Sequence, residues 1–242
     1  DGLAQLTDRR RLQVELGVPV EEVDPSFVSG LRTDDVLGAC ICRQDGVADP
    51  TAVTRHLVRE AVALGAELRE HTDARELDSD VLVVACGAAS PELADVPVRP
   101  LVRQLVETEA VPGLPVVLPM TIEEETGFHF RRVEEGLRLA MAESSLRWGT
   151  EAVVDETLVA EWLERLAHRF PPAAGVGVAR AWAGLYDMTP DAHPIIGWVD
   201  DGIGAFDDVY VSTDLDDPER LGRSNIDDAF VRVGNVSGAP RA

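Results

Sequence analysis

The sequence predicts an α/β protein, α+β in places, in which a mixed sheet stands beside a partial doubly wound unit. Three observations carry this. Between Gly46 and Gly87 a helix, a short strand and an apolar strand ending in glycine follow one another, the grammar of an α/β unit. Phe128-His129-Phe130-Arg131-Arg132 alternates with period two, and Glu134-Glu135-Gly136 supplies a hairpin turn after it. Trp182 to Gly197 is an apolar strand, a Thr189-Pro190-Asp191 break and a second apolar run. Proline forces the break because it removes a ladder donor and restrains the residue before it.

Taken in order, Leu3 to Leu16 reads as an amphipathic helix with Gly17 as its stop. Asp24-Pro25 is an N-cap followed by proline at the first helical position, which predicts a short helix to Leu31. Val36 to Cys42 reads as a strand. Asp49-Pro50 opens a helix to Leu64 whose Val53, Leu57, Ala61 and Leu64 share one stripe, and Gly65 ends it. Glu67 to His71 is predicted as a short strand, and Val81 to Ala85 as a strand buried on both faces. Gly87 opens a turn and Ser90-Pro91 caps a further helical turn. Strands are expected over Arg103 to Glu109, Val116 to Leu118 and Phe128 to Ala142, the last folded back through Leu137-Arg138-Leu139. Asp155 caps a helix to Arg169 with Leu158, Val159, Trp162 and Leu166 on its apolar stripe, ended by Pro171-Pro172. A strand from Val176 to Leu185, one from His193 to Val199 and a last one over Asp207 to Thr213 follow, then a polar, poorly ordered tail from Asp214.

Composition narrows the function classes. The chain has 242 residues and a net charge of -22, from 44 acidic residues against 22 basic ones, all of them Arg. Such a surface repels phosphate backbones and anionic lipid, so nucleic-acid and membrane-surface binding are not expected. The acidity is read equally as adaptation to high salt or as the codon bias of a GC-rich genome. No apolar run approaches the ~20 residues that span a bilayer. The start, Asp1-Gly2-Leu3, shows neither a signal peptide nor an initiator Met, which predicts a fragment. Cys40, Cys42 and Cys86 make no disulfide framework and no zinc set, and are read as reduced, mostly buried thiols of a cytoplasmic protein without a metal.

A polar corner carrying Tyr186, Asp191 and His193 between two strands is a place for a ligand, or an ordinary strand-turn-strand. The stretch Trp182 to Gly197 resembles the closing segment of the substrate domain in flavin-dependent amine oxidoreductases. That family includes sarcosine oxidase, glycine oxidase, D-amino acid oxidase and the β subunit of hetero-oligomeric sarcosine oxidases and proline dehydrogenases; the sarcosine oxidase β-subunit type is most similar. The Asp49-Pro50 unit resembles the family's return into its FAD-binding domain, with Ala85-Cys86-Gly87-Ala88-Ala89-Ser90 at the place of Ala-Ala-Gly-Ala-Trp-Ser. Ala89 replaces the Trp, and Arg75 to Asp80 is too short for the β-hairpin usual there.

The resemblance implies non-covalent FAD, contacted through Ala74 on its adenine side and through Ala85, Cys86 and Gly87. Covalent attachment is excluded because Gly184 stands where monomeric sarcosine oxidase has a Cys. It implies a substrate-facing Tyr186 and a basic Arg138 near the flavin that assists the reaction; the alternative for Arg138 is a solvated strand face. His129 is expected to be an ordinary strand residue, and Asp191 and His193 to close the corner by hydrogen bonds. The implied substrate is a small amino acid or secondary amine (sarcosine, glycine, a D-amino acid or a proline-like compound), and the implied partners are other subunits of a hetero-oligomer.

The implied domains are 1–48 substrate-domain part, 49–100 FAD-binding part, 101–190 substrate domain, 191–213 return to the FAD-binding part and 214–242 tail. The family's Gly-x-Gly-x-x-Gly turn has no match: Gly175-Val-Gly177 and Gly202-Ile-Gly204 both lack the third glycine. The flavin-facing Gly-Phe-Ser-Gly-His-Gly loop is replaced by Thr213-Asp214-Leu215-Asp216-Asp217-Pro218. An incomplete or non-catalytic, partner-binding chain is therefore the competing expectation.

Overall fold

The computed structural model describes residues 2–141, 143, 145–191, 193–200 and 203–207. Three sheets organise them. Strands β1 (Val20–Val23) and β2 (Ala39–Cys42) form an antiparallel pair. Strands β3 (Leu82–Val84), β10 (Ile195–Asp200) and β11 (Ile203–Asp207) form a three-stranded sheet in the order β10-β11-β3, with β11 parallel to β3.

The large sheet is built on β4 (Arg99–Thr108). Along one edge β4 pairs with β9 (Val178–Met188) from Arg99 to Thr108. Along the other it pairs first with β8 (Arg147–Trp148), at Leu101 and Val102, and then with β7 (Gly136–Ala140), at Leu105 to Glu107. Strands β6 (His129–Val133) and β5 (Thr121–Ile122) continue outward from β7. The β6–β7 hairpin closes where the sequence predicts, with Val133 opposite Gly136 and Glu134 at a φ of 54°.

Three helices carry the predicted stop and start signals: α1 (Gly2–Glu15), α2 (Pro50–Ala63) and α3 (Glu156–Arg169). Only α3 has a buried face. Its Leu158, Val159, Trp162 and Leu166 pack with Val106, Phe128, Phe130, Leu137, Leu139 and Phe170 into the main core. Asp155 caps α3, accepting from the N–H groups of Thr157 and Leu158. Gln104, buried on β4, fixes this cap to the sheet: its Oε1 accepts from Asp155 N at 2.8 Å and its Nε2 donates to Asp155 O at 3.2 Å.

Several expectations change. Glu67 to His71 forms no strand, nor does Val116 to Leu118, where Pro115 and Pro119 flank the run and Val116 is 89% exposed. A strand needs a ladder partner, which propensity does not supply. The helix after Asp24 is a 3-10 turn limited to Pro25–Phe27. Strand β3 is not buried on both faces: Val84 is inside, but Val83 is 53% exposed. The apolar stripe of α2 likewise faces out, with Val53 and Leu57 exposed. A strand forms at Ile203–Asp207, which shares only Asp207 with the strand expected over Asp207 to Thr213. Positions 208–213, and the tail from 214, lie outside the described residues.

Candidate active site

The two faces of the large sheet differ in chemistry because β-strand side chains alternate. On the α3 side stand Val106, Leu137, Leu139 and Phe130. On the other side the register places a row of cations and aromatics. Tyr186 is directly opposite Leu101, Gly184 opposite Arg103, Trp182 opposite Leu105 and Arg180 opposite Glu107. Glu107 is also opposite Arg138, and Arg138 opposite Arg131. Trp148 and Arg99 extend the same face through Leu101 and Met188.

Contacts organise this face into two groups. In the first, Glu107 holds two guanidiniums: Arg138 Nε and Nη2 donate to its Oε1 at 3.0 and 2.6 Å, and Arg180 Nη2 lies 3.3 Å from its Oε2. Both guanidiniums stand over the Trp182 ring, 5.4 Å (Arg138) and 4.1 Å (Arg180) from its centroid, a cation–π arrangement. The Arg138 charge is thereby directed and partly compensated. Burial, and then Arg138 beside it, lower the pKa of Arg131.

In the second group the partly buried Tyr186 packs with Trp148 and Leu146 against Leu101 and Met188. Burial pushes its phenol pKa up; Arg103 acts against this and Glu143 with it. Arg103 and Glu143 are themselves deeply buried, with Arg103 Nη1 3.4 Å from Glu143 Oε2. Between the groups lies Gly184, where an added Cβ would meet nothing within 4 Å. Trp182 and Tyr186 thus wall an open notch whose floor is bare backbone.

The corner after β9 is closed by its own side chains, as expected. Thr189 Oγ1 lies 3.2 Å from Asp191 Oδ1 and 3.0 Å from the His193 carbonyl oxygen, and His193 N donates to Asp191 Oδ1 at 3.3 Å. His129 is a buried strand residue whose Nδ1 lies 2.9 Å from the Gly127 carbonyl oxygen.

Ala85, Cys86 and Gly87 follow the C-terminal end of β3, the end where open α/β sheets take ligands. Gly87 has a φ of +56°, and an added Cβ there would lie 3.4 Å from Asp187 Oδ2 of β9. This turn is therefore set against the strand that carries Tyr186. Ala74 lies on a separate 3-10 turn, Ala74–Glu76, in the α2–β3 connection. The structure brings Arg138 and Tyr186 onto one sheet face, on strands flanking β4. Sequence reasoning missed Arg103, Glu107, Glu143 and Arg180. A charged residue within the apolar alternation of β4 was the available signal, but its partners come from segments far along the chain.

Comparison with known proteins identifies the family and the fold. The family model for DAO, the FAD dependent oxidoreductases, matches residues 1–217. A D-amino acid dehydrogenase of Rhodopseudomonas palustris (strain HaA2) is 28% identical over 207 residues, covering 72% of this chain and 44% of that protein. Among solved structures, an L-proline dehydrogenase from P. horikoshii superposes with a TM-score of 0.74 at 20% identity, over 85% of this chain and 63% of its own. A glycine oxidase from Bacillus cereus ATCC 14579 gives 0.74 at 17% identity, over 87% and 64%. The chain thus spans less than half the length of its curated relative and under two thirds of these solved chains. With the family match running through nearly all of the sheet architecture, the chain belongs to the DAO family of FAD-dependent oxidoreductases.

Proposed function

We propose that this chain supplies the substrate-facing sheet of an FAD-dependent oxidoreductase acting on a small amino acid or secondary amine of the sarcosine, glycine, D-amino acid or proline-like class. One observation carries the reading. In a chain of net charge -22, five guanidiniums (Arg99, Arg103, Arg131, Arg138, Arg180) share one sheet face, where the described carboxylates are Glu107 and Glu143. A cationic patch on an acidic protein focuses anions there, and a substrate carboxylate is such an anion.

The residues present fit part of an FAD. The open backbone at Gly184 admits a flat ring, and the absence of a thiol there keeps the cofactor non-covalent. Main chain at Ala74, Ala85, Cys86 and Gly87 would contact its nucleotide side. The described residues contain no glycine-rich turn between a strand and a helix to hold the pyrophosphate; Gly175 and Gly177 lie in the loop before β9. When bound, FAD accepts a hydride from the carbon beside the amine. The chain's own part is placement: Tyr186 donates its O–H to the substrate carboxylate. Arg138, held by Glu107, keeps a positive charge on the same face near the flavin. The sparse cysteines fit a cytoplasmic location, although they are not mostly buried as expected: Cys40 and Cys42 are half-buried and Cys86 is exposed.

The experiment is anaerobic mixing of purified protein and FAD with sarcosine, glycine, D-alanine and proline, each compared with its neutral amide. A flavin absorbance band that bleaches with the carboxylates and not with the amides is expected. Protein that acquires no flavin band, or bleaching equal for acid and amide, overturns the reading. A second reading, a partner-binding chain in a hetero-oligomer that does not hold FAD alone, is favoured by the exposed apolar stripe of α2, where Val53, Leu57, Val58 and Val62 face out. It predicts a flavin band only after the partner is added.

A further inference from the structure

The edge of β4 opposite β9 has a gap. Strand β8 covers Leu101 and Val102, β7 covers Leu105 to Glu107, and Arg103 and Gln104 have no strand partner on that side. Glu143 lies at this gap, within reach of Arg103, its side chain only 1% exposed. The carboxylate is met from both sides. Arg103 reaches it from the Tyr186 face, Nη1 to Oε2 at 3.4 Å, and Arg147 Nε stands 4.0 Å from the same oxygen. Arg147 continues to Gln104 Oε1 at 3.1 Å, and Gln104 to the Asp155 cap of α3.

These charges are costly. Among the described residues Arg103 Nε and Arg147 Nε have no hydrogen-bond partner, and the Arg103–Glu143 contact is long at 3.4 Å. A buried ion pair so poorly satisfied gives less stability than an apolar pair of the same volume. Its location suggests a different use. Arg103 is opposite Gly184, which has no side chain to meet it, so its diagonal neighbours on the same face are Tyr186, opposite Leu101, and Trp182, opposite Leu105; Trp182 is taken by Arg138 and Arg180, which leaves Tyr186 to Arg103.

We propose that Arg103 and Glu143 are positioning residues for Tyr186: the buried Glu143 carboxylate holds the Arg103 guanidinium beside the phenol and so fixes where its O–H stands at the Gly184 notch. The inference rests on the reading that Tyr186 faces the substrate. Arg103 lowers and Glu143 raises the phenol's pKa, as adjacent charges of those signs must. The other described charged groups near this pocket are Arg147, 4.0 Å from Glu143, and Arg99, stacked over Trp148 at 4.3 Å, and both are common to every variant below.

The test is the ionisation midpoint of Tyr186 in the full chain without added FAD. It is read as the ultraviolet difference between each protein and its Tyr186→Phe counterpart; the only other tyrosine of this sequence is Tyr210. Glu143→Gln removes the negative neighbour at nearly constant volume, and the midpoint should fall by about one pH unit. Adding Arg103→Met to that variant avoids leaving a bare buried carboxylate and should raise the midpoint again by about one unit. Adding Arg103→Lys instead keeps the charge and should leave the midpoint at the Glu143→Gln value. Midpoints that agree with the parent within about 0.2 unit in all three overturn the proposal.

Turnover with FAD separates this from the wider reading. A shifted phenol in a protein that never reduces FAD upholds the positioning and sinks the proposed activity. Flavin reduction by a protein whose phenol does not move sinks the positioning alone. With turnover present, the Arg103→Met, Glu143→Gln double variant should raise KM for carboxylate substrates about tenfold and change kcat less, while the Lys variant should recover most of that loss.

Discussion

Replacing His129 by Gln tests whether the sheet is packed as described. His129 lies on β6 with 6% of its surface exposed, and its Nδ1 is 2.9 Å from the Gly127 carbonyl oxygen. Burial brings its pKa down from 6.5 to about 4; the Gly127 contact opposes the shift and Arg131 adds to it. Between those values the unfolded chain binds a proton that the folded chain refuses. The folded pKa is the lower one, so the stability from keeping this imidazole neutral is present above about pH 6.5 and is lost as pH falls toward 4. A gap of about 2.5 pH units at about 1.4 kcal/mol per unit gives about 3 kcal/mol in all, of which about 2 kcal/mol is lost by pH 5. That pH stays above the isoelectric point near 4.5. Glu143, whose pKa burial raises, works with the opposite sign but is present in both proteins. Urea unfolding of the wild type and His129→Gln at pH 7, 6 and 5 isolates the term. The wild type should lose about 2 kcal/mol more than the variant between pH 7 and pH 5. A difference that stays flat within about 0.5 kcal/mol would refute a buried neutral imidazole.

Two glycines of the sheet should behave oppositely to Ala. At Gly136 a Cβ would lie 2.6 Å from the Thr108 carbonyl oxygen, so Gly136→Ala should cost about 2 kcal/mol in thermal or urea unfolding. At Gly184 it would meet open space, and Gly184→Ala should stay within about 0.5 kcal/mol of the parent. Gln104→Leu strands the Asp155 N–H and should cost about 2 kcal/mol, measured by urea unfolding; Asp155→Ala, which removes only the cap of α3, should cost about 1 kcal/mol. Tyr186→Phe should raise KM for a carboxylate substrate about tenfold in steady-state assays and leave a neutral amine unaffected.

The local signals in the sequence were followed closely where the chain's own chemistry decides the outcome. Asp49 and Asp155 cap the helices they precede, and Glu134-Glu135 turns the β6–β7 hairpin. Thr189-Pro190-Asp191 ends β9. The apolar stripe of α3 was legible and became core. The equally regular stripe of α2 was legible too, yet it faces outward, because amphipathicity fixes which residues share a face and not what covers that face. For the same reason Val83 is half exposed on a run that reads as fully buried.

Sequence alone determined the family resemblance and the impossibility of a thiol link at Gly184, and offered Tyr186 as substrate-facing only through that resemblance. Tertiary structure alone decided the cation-rich face. Arg103, Arg138 and Arg180 share it only because the registers of β4 with β7 and β9 bring them together, and Glu143, much later in the chain, meets Arg103 only in the folded sheet. A strand's alternation names two faces, but pairing between distant segments chooses which residues become neighbours on each.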